Sequence, residues 1–357
     1  MELTEIRKEI DGIDEELAKL FVRRMACADR VAEAKRGSGK PVLDPGRERE
    51  ILAKVAERVG SELENEGKLL FSTLMSISRG RQEKRLGHKT KDERRETQRI
   101  TVGIRGMGLI GGSFEKAFRR AGHEVLNLKD ATAAEIGRCD LVVVCLPPLM
   151  VAPWVIEHAN DFADGALVTD AAGVKGVVCP QVESVAKTAK WIYVGGHPMA
   201  GKERSGYANS DADLYKGASM IFTPFAFTPS AAVEKLKAIF TEIGFARFVV
   251  TDPKNHDEMI AYTSQLAHVV SSAYVRDPLA AQHLGFSAGS FQDMTRVATV
   301  DPDIWTDLFL SNRDSLDAVL TRLIERLGQY RDAIQGENAV ALKALLAEGR
   351  AAKEKSK

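Results

Sequence analysis

The stretch ITVGIRGMGLIGGSFEKAF, residues 100–118, constrains the fold more than any other part of this 357-residue chain. An apolar run typical of a β-strand leads into the pattern Gly-x-Gly-x-x-Gly, and a helical stretch follows. Alone the glycine pattern is a weak signal. Between a strand and a helix it indicates a dinucleotide-binding βαβ unit whose helix N-terminus faces the phosphates. The residues predicted to contact the dinucleotide are Gly106, Gly108, Leu109, Ile110 and Gly111.

Six further strand candidates follow this stretch, and helical segments separate several of them. They read HEVLNL, DLVVVCLP, ALVTD, WIYVGG, SMIFTPF and FARFVV. This alternation is typical of a doubly wound α/β sheet, so we predict a Rossmann-type domain over residues 100–252. Beyond residue 252 the strand patterns stop. We predict an all-α domain there, over residues 253–350, for dimerisation and substrate binding.

The N-terminal segment has a different pattern, with apolar residues at alternating three- and four-residue steps from Leu3 to Ala34. This spacing predicts one long helix, and two shorter helices are predicted over about 45–59 and 62–85. Three helices in so short a segment make a thin core, and the first is too long for the others to cover. We therefore predict an all-α homodimer domain over residues 1–88. A polar linker is predicted over residues 89–99.

Composition excludes several classes of function. Lys+Arg 50 balances Asp+Glu 50, so no overall field attracts nucleic acid or a membrane surface. The four cysteines have no metal-ligand spacing, and we predict no metal. The chain opens with no signal-peptide pattern, and its apolar runs are too short to span a membrane, which predicts a cytoplasmic protein.

Polar side chains interrupt the apolar faces of the N-terminal helices. Arg24 lies on the apolar face of the first helix, where burial costs several kcal/mol unless an anion pairs with it. Lys35 lies within about 20° of the same face, whereas Arg7 is roughly 100° away and is placed to serve another site, such as one in a partner chain. Ser78 and Gln82, one turn apart on the third helix, also require polar partners.

The segment KPVLDPGRERE, residues 40–50, allows two interpretations. Asp44 caps the second helix and the charges after it are a solvated face, or Asp44, Arg47 and Glu48 line a site. Taken singly, each of these polar residues is better explained as a solvated side chain. Taken together, these residues predict a cavity for a small dianion in an apolar helical dimer. The full set is Arg7, Arg24, Lys35, Asp44, Arg47, Glu48, Ser78 and Gln82.

Residues 1–85 resemble the all-helical chorismate mutase family through IRKEID, RRMACADRVAEAKR, KPVLDPGRERE and SISRGRQ. The resemblance implies that arginines hold the two carboxylates of chorismate, that a lysine and a glutamine bind its ether oxygen, and that a glutamate binds the ring hydroxyl. In this chain the arginines would be Arg24, Arg47 and the partner's Arg7. The ligands of the ether oxygen would be Lys35 and Gln82. The ligand of the ring hydroxyl would be Glu48, with Asp44 and Ser78 close by. Conversion to prephenate is an intramolecular rearrangement, so it requires no nucleophile or base.

The α/β segment carries candidates for hydride-transfer chemistry. An acidic residue about 20 positions after the glycines binds the ribose of NAD, and here Lys129 holds that position with Asp130 next to it. We predict NAD, with NADP not excluded because Lys129 can accept its 2′-phosphate. In GGHPMAG, His197 lies at the carboxyl end of a strand, above the cofactor crevice. It is either an acid–base group or a loop histidine bonded to the backbone. His268 lies on a predicted helix among apolar residues. It is either a functional residue or a histidine packed in the core.

Residues 100–350 resemble prephenate dehydrogenases through GMGLIGGS, DLVVVCLPP, VTDAAGVKG, GGHPMAG, HDEMIAYTSQLAHV and FQDMTRVATVDPDIW. The resemblance implies that His197 accepts the proton of the substrate hydroxyl as hydride leaves for the nicotinamide. It also implies that Arg296 holds a prephenate carboxylate and that His268 lies near the substrate. The chain departs from the family pattern D-x-x-S-x-K at Gly173, where a serine is expected beside the histidine and the nicotinamide.

These patterns together predict a bifunctional enzyme of tyrosine synthesis that converts chorismate to prephenate and prephenate to 4-hydroxyphenylpyruvate. One alternative is a dehydrogenase that acts on arogenate, the amino analogue of prephenate. Another is a metabolite-sensing regulatory protein with an inactive dehydrogenase module.

Overall fold

A computed structural model describes residues 3–36, 45–60, 63–85, 99–202 and 204–355. The chain divides into two compact units, Met1–Gln98 and Arg99–Lys357. The first unit is helical through almost all of its described residues, and the second combines a sheet with helices.

The first unit consists of α1 (Leu3–Lys35), α2 (Pro45–Val59) and α3 (Glu64–Arg85), close to the three predicted helices. Both α1 and α2 pack on α3, around a small set of buried apolar side chains: Met25, Ala28, Ala32, Val55 and Met75. The N-terminal half of α1 carries an apolar row that is 39–54% exposed, formed by Ile6, Ile10, Ile13, Leu17 and Leu20. The long first helix therefore has an apolar face that the described residues of its unit leave largely exposed.

The second unit contains a seven-stranded sheet, and each strand coincides with one predicted from sequence. The strands are β1 (Thr101–Arg105), β2 (Glu124–Asn127), β3 (Leu141–Val144), β4 (Leu167–Asp170), β5 (Ile192–Met199), β6 (Ser219–Pro224) and β7 (Arg247–Val250). Their order is β2-β1-β3-β4-β5-β6-β7, and all neighbours are parallel except the antiparallel pair β5–β6. The predicted α/β fold is confirmed.

Helices cover both faces of this sheet. They are α4 (Leu109–Arg120), α5 (Ala133–Ile136), α6 (Pro148–Glu157), α7 (Cys179–Ala186) and α8 (Ser230–Glu242). One core contains Phe114 and Phe240 from α4 and α8, and the other contains Trp154 and Val182 from α6 and α7. Because both faces are covered, β3 is an unbroken apolar run in which every residue is buried.

The helices that follow the sheet are α9 (Pro253–Ile260), α10 (Leu266–Val275), α11 (Gly289–Thr295), α12 (Pro302–Ser311), α13 (Arg313–Gln335) and α14 (Ala339–Lys355). The predicted change to an all-helical segment is thus confirmed. A π-helical turn, Ala261–Gln265, joins α9 to α10. Such turns contain one extra residue and often occur at functional sites.

A buried ion pair fixes β5 to the end of β4. The side chains of Asp170 and Lys175 are fully buried and paired. Asp170 also accepts hydrogen bonds from the amides of Ala172 and Gly196 and from the hydroxyl of Tyr193. Lys175 Nζ donates to the Gly196 carbonyl at 2.6 Å. These bonds satisfy both charges and hold the strand that carries the GGHPMAG motif.

We expect Lys175→Met to destabilise the second unit by about 3–5 kcal/mol, because it leaves the Asp170 carboxylate buried without its cation. The matched control is Lys190→Met, which removes an exposed pair with Asp164 and is expected to cost less than about 1 kcal/mol. All three tryptophans, at 154, 191 and 305, lie in this unit, so urea unfolding followed by tryptophan fluorescence measures both variants. Equal stabilities of the two variants would contradict the expectation.

Candidate active sites

The helical unit brings Arg24 and Ser78 together, as the sequence predicted. Arg24 donates to the Ser78 hydroxyl and, at 2.8 Å, to the Leu74 carbonyl. Ser78 Oγ in turn donates to the same carbonyl at 2.9 Å. Partial burial lowers the pKa of Arg24. Both of its acceptors are neutral oxygens, so the guanidinium charge is still available to an anion.

Gln82 lies one turn beyond Ser78 and is also buried, with 8% of its surface exposed. Its Oε1 is buried and has no hydrogen-bond partner within the described part of the chain. An unpartnered buried amide is costly, so this end of Gln82 is suited to a polar ligand. It lies on the same helical row as the hydroxyl that Arg24 contacts.

The two charged residues predicted on α2 have different environments. Glu48 is half-buried and pairs with Arg79 of α3, a residue that sequence reasoning missed although SISRGRQ contains it. Arg47 is exposed and pairs with Glu50 at 2.6 Å. Hydrogen bonds from Lys54 and Arg47 lower the pKa of Glu50 to about 2. In the single chain the structure thus places Glu48 toward α3 and Arg47 on the outer face.

The remaining predicted residues of this site are at or beyond the helix ends. Arg7 is exposed and precedes Arg24 by 17 positions, about 25 Å along the axis of α1. That separation is too long for both to hold one small molecule in the same chain. Lys35 is half-buried in the last turn of α1. Asp44 lies outside the described residues.

In the second unit the glycine loop lies where the sheet order reverses. β1 has β2 on one side and β3 on the other, and ligands of such sheets bind at the carboxyl ends of these strands. Gly106 has φ +98°, and a Cβ there would lie 2.3 Å from the Cys145 carbonyl oxygen. A Cβ at Gly111 would lie 1.8 Å from the Gly106 oxygen. The local backbone itself therefore requires both glycines.

Gly108 has a different role, because a Cβ there would meet nothing within 4 Å. It is the N-cap of α4, ahead of the half-buried Leu109 and Ile110, and no side chain caps this helix end. The open space and the free helix N-terminus fit a dinucleotide pyrophosphate. Lys129 and Asp130 are both exposed just beyond β2, so burial does not choose between them as the ribose ligand.

His197, on β5, forms the start of a chain of three side chains. Its Nδ1 lies 2.9 Å from His256 Nε2, and His256 Nδ1 lies 2.7 Å from Asp257 Oδ1. The carboxylate of Asp257 also accepts hydrogen bonds from the amides of residues 175 and 176, both at 2.7 Å. Burial, and then the electrostatic influence of the neighbouring His256 and Lys175, hold the pKa of His197 well below its usual range. His197 is therefore neutral at neutral pH and can accept a proton.

His256 and Asp257 were missed from the sequence as functional candidates, although the quoted stretch HDEMIAYTSQLAHV begins with them. Only His268 was chosen from that stretch. No spacing rule indicates that α9 packs beside β5, so the contact with His197 is visible only in the folded chain.

Gly173 lies beside the other nitrogen of His197. A Cβ there would be 3.8 Å from His197 Nε2 and 3.3 Å from Leu308 Cδ2, and its φ is not positive. A side chain is therefore possible if Leu308 moves by a few tenths of an ångström. The backbone conformation at this position therefore does not by itself require glycine.

His268 and Arg296 belong to the C-terminal helices. His268 Nδ1 donates to the Ser264 carbonyl at 2.9 Å, and its ring contacts Trp305 with centroids 3.8 Å apart and the ring planes tilted by 31°. Arg296 is exposed at the end of α11. Among the described residues of one chain, no hydrogen bond, ion pair or ring contact joins either of them to His197.

Neither a metal-binding cluster nor a membrane-spanning helix occurs among the described residues. Within the described ranges, no group of three or more His, Cys, Asp or Glu side chains is arranged to hold a metal ion. None of the helices described is both long and apolar enough to cross a membrane.

Comparison with known families assigns most of the chain. The model of the prephenate dehydrogenase nucleotide-binding domain matches residues 105–250, and the model of the prephenate dehydrogenase dimerization domain matches residues 252–348. The chain belongs to the prephenate dehydrogenase family. Ahead of this pair, residues 6–83 match chorismate mutase type II.

Individual relatives agree with this assignment. The cyclohexadienyl dehydrogenase of Zymomonas mobilis is 30% identical over 268 residues, 66% of this chain and 89% of that protein. The T-protein of Enterobacter agglomerans is 25% identical over 345 residues, 92% of this chain and 87% of that protein. A crystal structure of prephenate dehydrogenase from A. aeolicus, in complex with hydroxyphenyl propionate and NAD+, is 25% identical with a TM-score of 0.62. It covers 74% of this chain and 100% of its own.

These findings make the chain an enzyme with isomerase and oxidoreductase domains, and leave no support for the alternative of a metabolite-sensing protein.

Two alanine substitutions separate the roles of the glycines. Gly108→Ala is expected to fold with an unchanged Tm and to weaken NAD binding at least about tenfold, because its methyl group enters the space for the pyrophosphate. Gly111→Ala is expected to lower stability by about 1–3 kcal/mol through its clash with the Gly106 oxygen. Thermal unfolding and calorimetric titration with NAD measure both effects. Unchanged NAD affinity in Gly108→Ala would show that the loop does not hold the pyrophosphate.

Gly173→Ser is expected to raise kcat for the dehydrogenase reaction by roughly tenfold to a hundredfold, because a hydroxyl beside His197 Nε2 adds a hydrogen bond in the transition state. Gly173→Ala is the matched control, since it adds the Cβ without the hydroxyl. Steady-state kinetics decide the case. If both variants lose kcat and bind NAD more weakly, displacement of Leu308 outweighs the added bond.

Proposed function

We propose that the chain catalyses two consecutive reactions, chorismate to prephenate in its helical unit and prephenate to 4-hydroxyphenylpyruvate, with NAD, in its α/β unit. The observation that carries the second reaction is the neutral His197, which lies beside Gly173 at the carboxyl ends of the strands. The family assignment of both parts of the chain supports the order of the two steps.

In the helical unit the geometry supports binding of a dianion with no covalent step. Arg24, held by the Leu74 carbonyl and the Ser78 hydroxyl, is proposed to bind one carboxylate of chorismate. Gln82, through its amide N–H₂ group, and Lys35 are proposed to bind the ether oxygen as its bond breaks. Glu48 is proposed as the ligand of the ring hydroxyl. Preorganised groups of this kind lower the barrier by restricting the substrate to its reactive conformer.

One arginine of the proposed mutase site requires the assembled dimer. Arg7 lies about 25 Å along α1 from Arg24 and is proposed to serve the site of the partner. The exposed apolar row on α1 supports packing of a second copy along this helix. Arg47, exposed in one chain, is proposed to turn toward chorismate, and Asp44 is proposed to lie close to it.

In the α/β unit, His197 is proposed to take the proton of the substrate hydroxyl on Nε2. NAD, when bound, would supply the hydride acceptor for the ring carbon that bears this hydroxyl. The bond to the departing carboxylate then breaks, its electron pair enters the ring, and the oxygen regains the proton as a phenol. Oxidation and decarboxylation of prephenate therefore use His197 as a reversible proton acceptor, and no net proton is released.

The other residues of this site are assigned on family grounds. Arg296 is proposed to hold a carboxylate of prephenate, and His268 to lie near the substrate. Gly106, Gly108, Leu109, Ile110 and Gly111 are proposed to hold the pyrophosphate, with Gly173 beside the nicotinamide. Asp130 is proposed as the ribose ligand, which favours NAD over NADP. The NAD+ bound to the A. aeolicus relative supports this cofactor.

A second candidate substrate is arogenate, because the Zymomonas mobilis relative is a cyclohexadienyl dehydrogenase. We favour prephenate, since a mutase domain on the same chain produces it. We also propose domain limits at 88, 99 and 252, a homodimer and a cytoplasmic location.

Single substitutions test the two-site proposal. Arg24→Ala is expected to lower chorismate rearrangement about 10²–10³-fold, and His197→Asn to lower prephenate oxidation about 10²–10⁴-fold. Each should leave the other activity intact. Arg23→Ala, exposed on the same helix, and His158→Asn, away from the sheet's carboxyl edge, are matched controls. Absorbance of chorismate and of reduced nicotinamide measures the two rates. Loss of both activities in one folded variant would refute separate sites.

A further inference from the structure

We propose that His256 and Asp257 are positioning residues that fix the tautomer of His197 and leave its Nε2 as the proton acceptor. The inference rests on the proposed dehydrogenase function, and it assigns roles that sequence comparison does not give. It follows from the three side chains that connect α9 to β5.

The direction of the hydrogen bonds starts at Asp257. Its two carboxylate oxygens accept the backbone N–H groups of residues 175 and 176, which can only donate. Oδ1 also lies 2.7 Å from His256 Nδ1. An ionised carboxylate is an acceptor only, so the proton of this third contact belongs to His256 Nδ1.

His256 transmits this assignment to His197. The ring of His256 is buried, with 2% of the residue exposed, so water does not replace either of its partners. With its proton on Nδ1, the neutral ring presents a lone pair on Nε2. That nitrogen lies 2.9 Å from His197 Nδ1, which must therefore be the donor. The only lone pair left on the neutral ring of His197 is on Nε2.

Nε2 is also the nitrogen on the open side of the ring. It lies 3.8 Å from the Cβ position of Gly173, the residue where the family pattern expects a serine beside the nicotinamide. A proton accepted there creates an imidazolium whose opposite N–H points along the chain to the Asp257 carboxylate. The carboxylate thus stabilises the charge without contacting the substrate.

A role limited to packing predicts different results. His256 and Asp257 also hold the C-terminal helices, since Asn312 donates to the Asp257 carbonyl at 2.9 Å. The charged groups next to these three hydrogen-bonded side chains are Lys175 and Asp170, which pair with each other. If packing were the only role, substitutions would lower stability and leave the turnover of the folded fraction unchanged.

The first test compares two substitutions of His256. In His256→Leu the acceptor for His197 is lost, and kcat for prephenate oxidation is expected to fall about 10²–10³-fold, with KM for prephenate and NAD within about threefold. His256→Gln supplies an amide oxygen as acceptor and is expected to retain kcat within about tenfold of the wild type. Chorismate mutase activity of the same samples controls for concentration and folding. Equal kcat values for both variants and the wild type would overturn the proposal.

The second test reads the tautomer directly and does not depend on activity. Nitrogen NMR of the full-length protein with ¹⁵N-labelled histidine identifies the protonated nitrogen, and the His197→Asn sample assigns the signal. We expect His197 to carry its proton on Nδ1 in the wild type. In Asp257→Asn either orientation of the new amide points its N–H₂ at the backbone N–H of residue 175 or 176, so His256 is no longer held in one tautomer. The proton of His197 is then expected to be shared between Nδ1 and Nε2.

The outcomes separate this proposal from the proposed function. A wild-type protein that oxidises prephenate but carries the proton on His197 Nε2 would refute the positioning role and leave the function intact. A protein with the expected tautomer that does not oxidise prephenate would refute the function alone. Should His256→Leu fail to fold, the tautomer in the wild type and in Asp257→Asn still decides the question.

Discussion

The hydrogen bonds of Lys175 connect the parts of the dehydrogenase unit on which its chemistry depends. The ammonium group of Lys175 is buried against Asp170 and the Gly196 carbonyl, which fixes β5 to β4. Its backbone amide donates to Asp257 on α9, which fixes the C-terminal helices to the same point. His197 lies between these two attachments. The buried ammonium is tolerated here because a carboxylate and a carbonyl both pair with it, and these bonds hold the strand of His197 rigidly.

The two units use burial for opposite purposes. In the helical unit, Arg24 is half-buried and donates to two neutral oxygens, which leaves its charge suited to an external dianion. In the α/β unit, burial keeps His197 uncharged so that it can receive a proton. One reaction needs charges already in place around the substrate, and the other needs a charge that appears only during turnover.

Much of this organisation could be predicted from the sequence, because it rests on local patterns. The seven strands, the three N-terminal helices and the glycine loop all follow from periodicity and from residues with restricted conformations. The contacts that complete the sites are long-range and have no such pattern. Glu48 pairs with Arg79 across two helices, and His197 reaches His256 over 59 positions. The resemblance indicated His197 as the base, but only the folded chain shows how its ring is oriented.

The π-helical turn at Ala261–Gln265 has a consequence for how this chain tolerates changes in length. Its extra residue rotates α10 by roughly 100° relative to a continuous helix from α9. That rotation sets which side of α10 carries His268 toward Trp305, while Gln265 bonds to Asn312 and Leu308. Deleting one residue here would leave an ordinary helix of good propensity, yet every side chain after it would point elsewhere. The segment is therefore far more tolerant of substitution than of a change in its residue count.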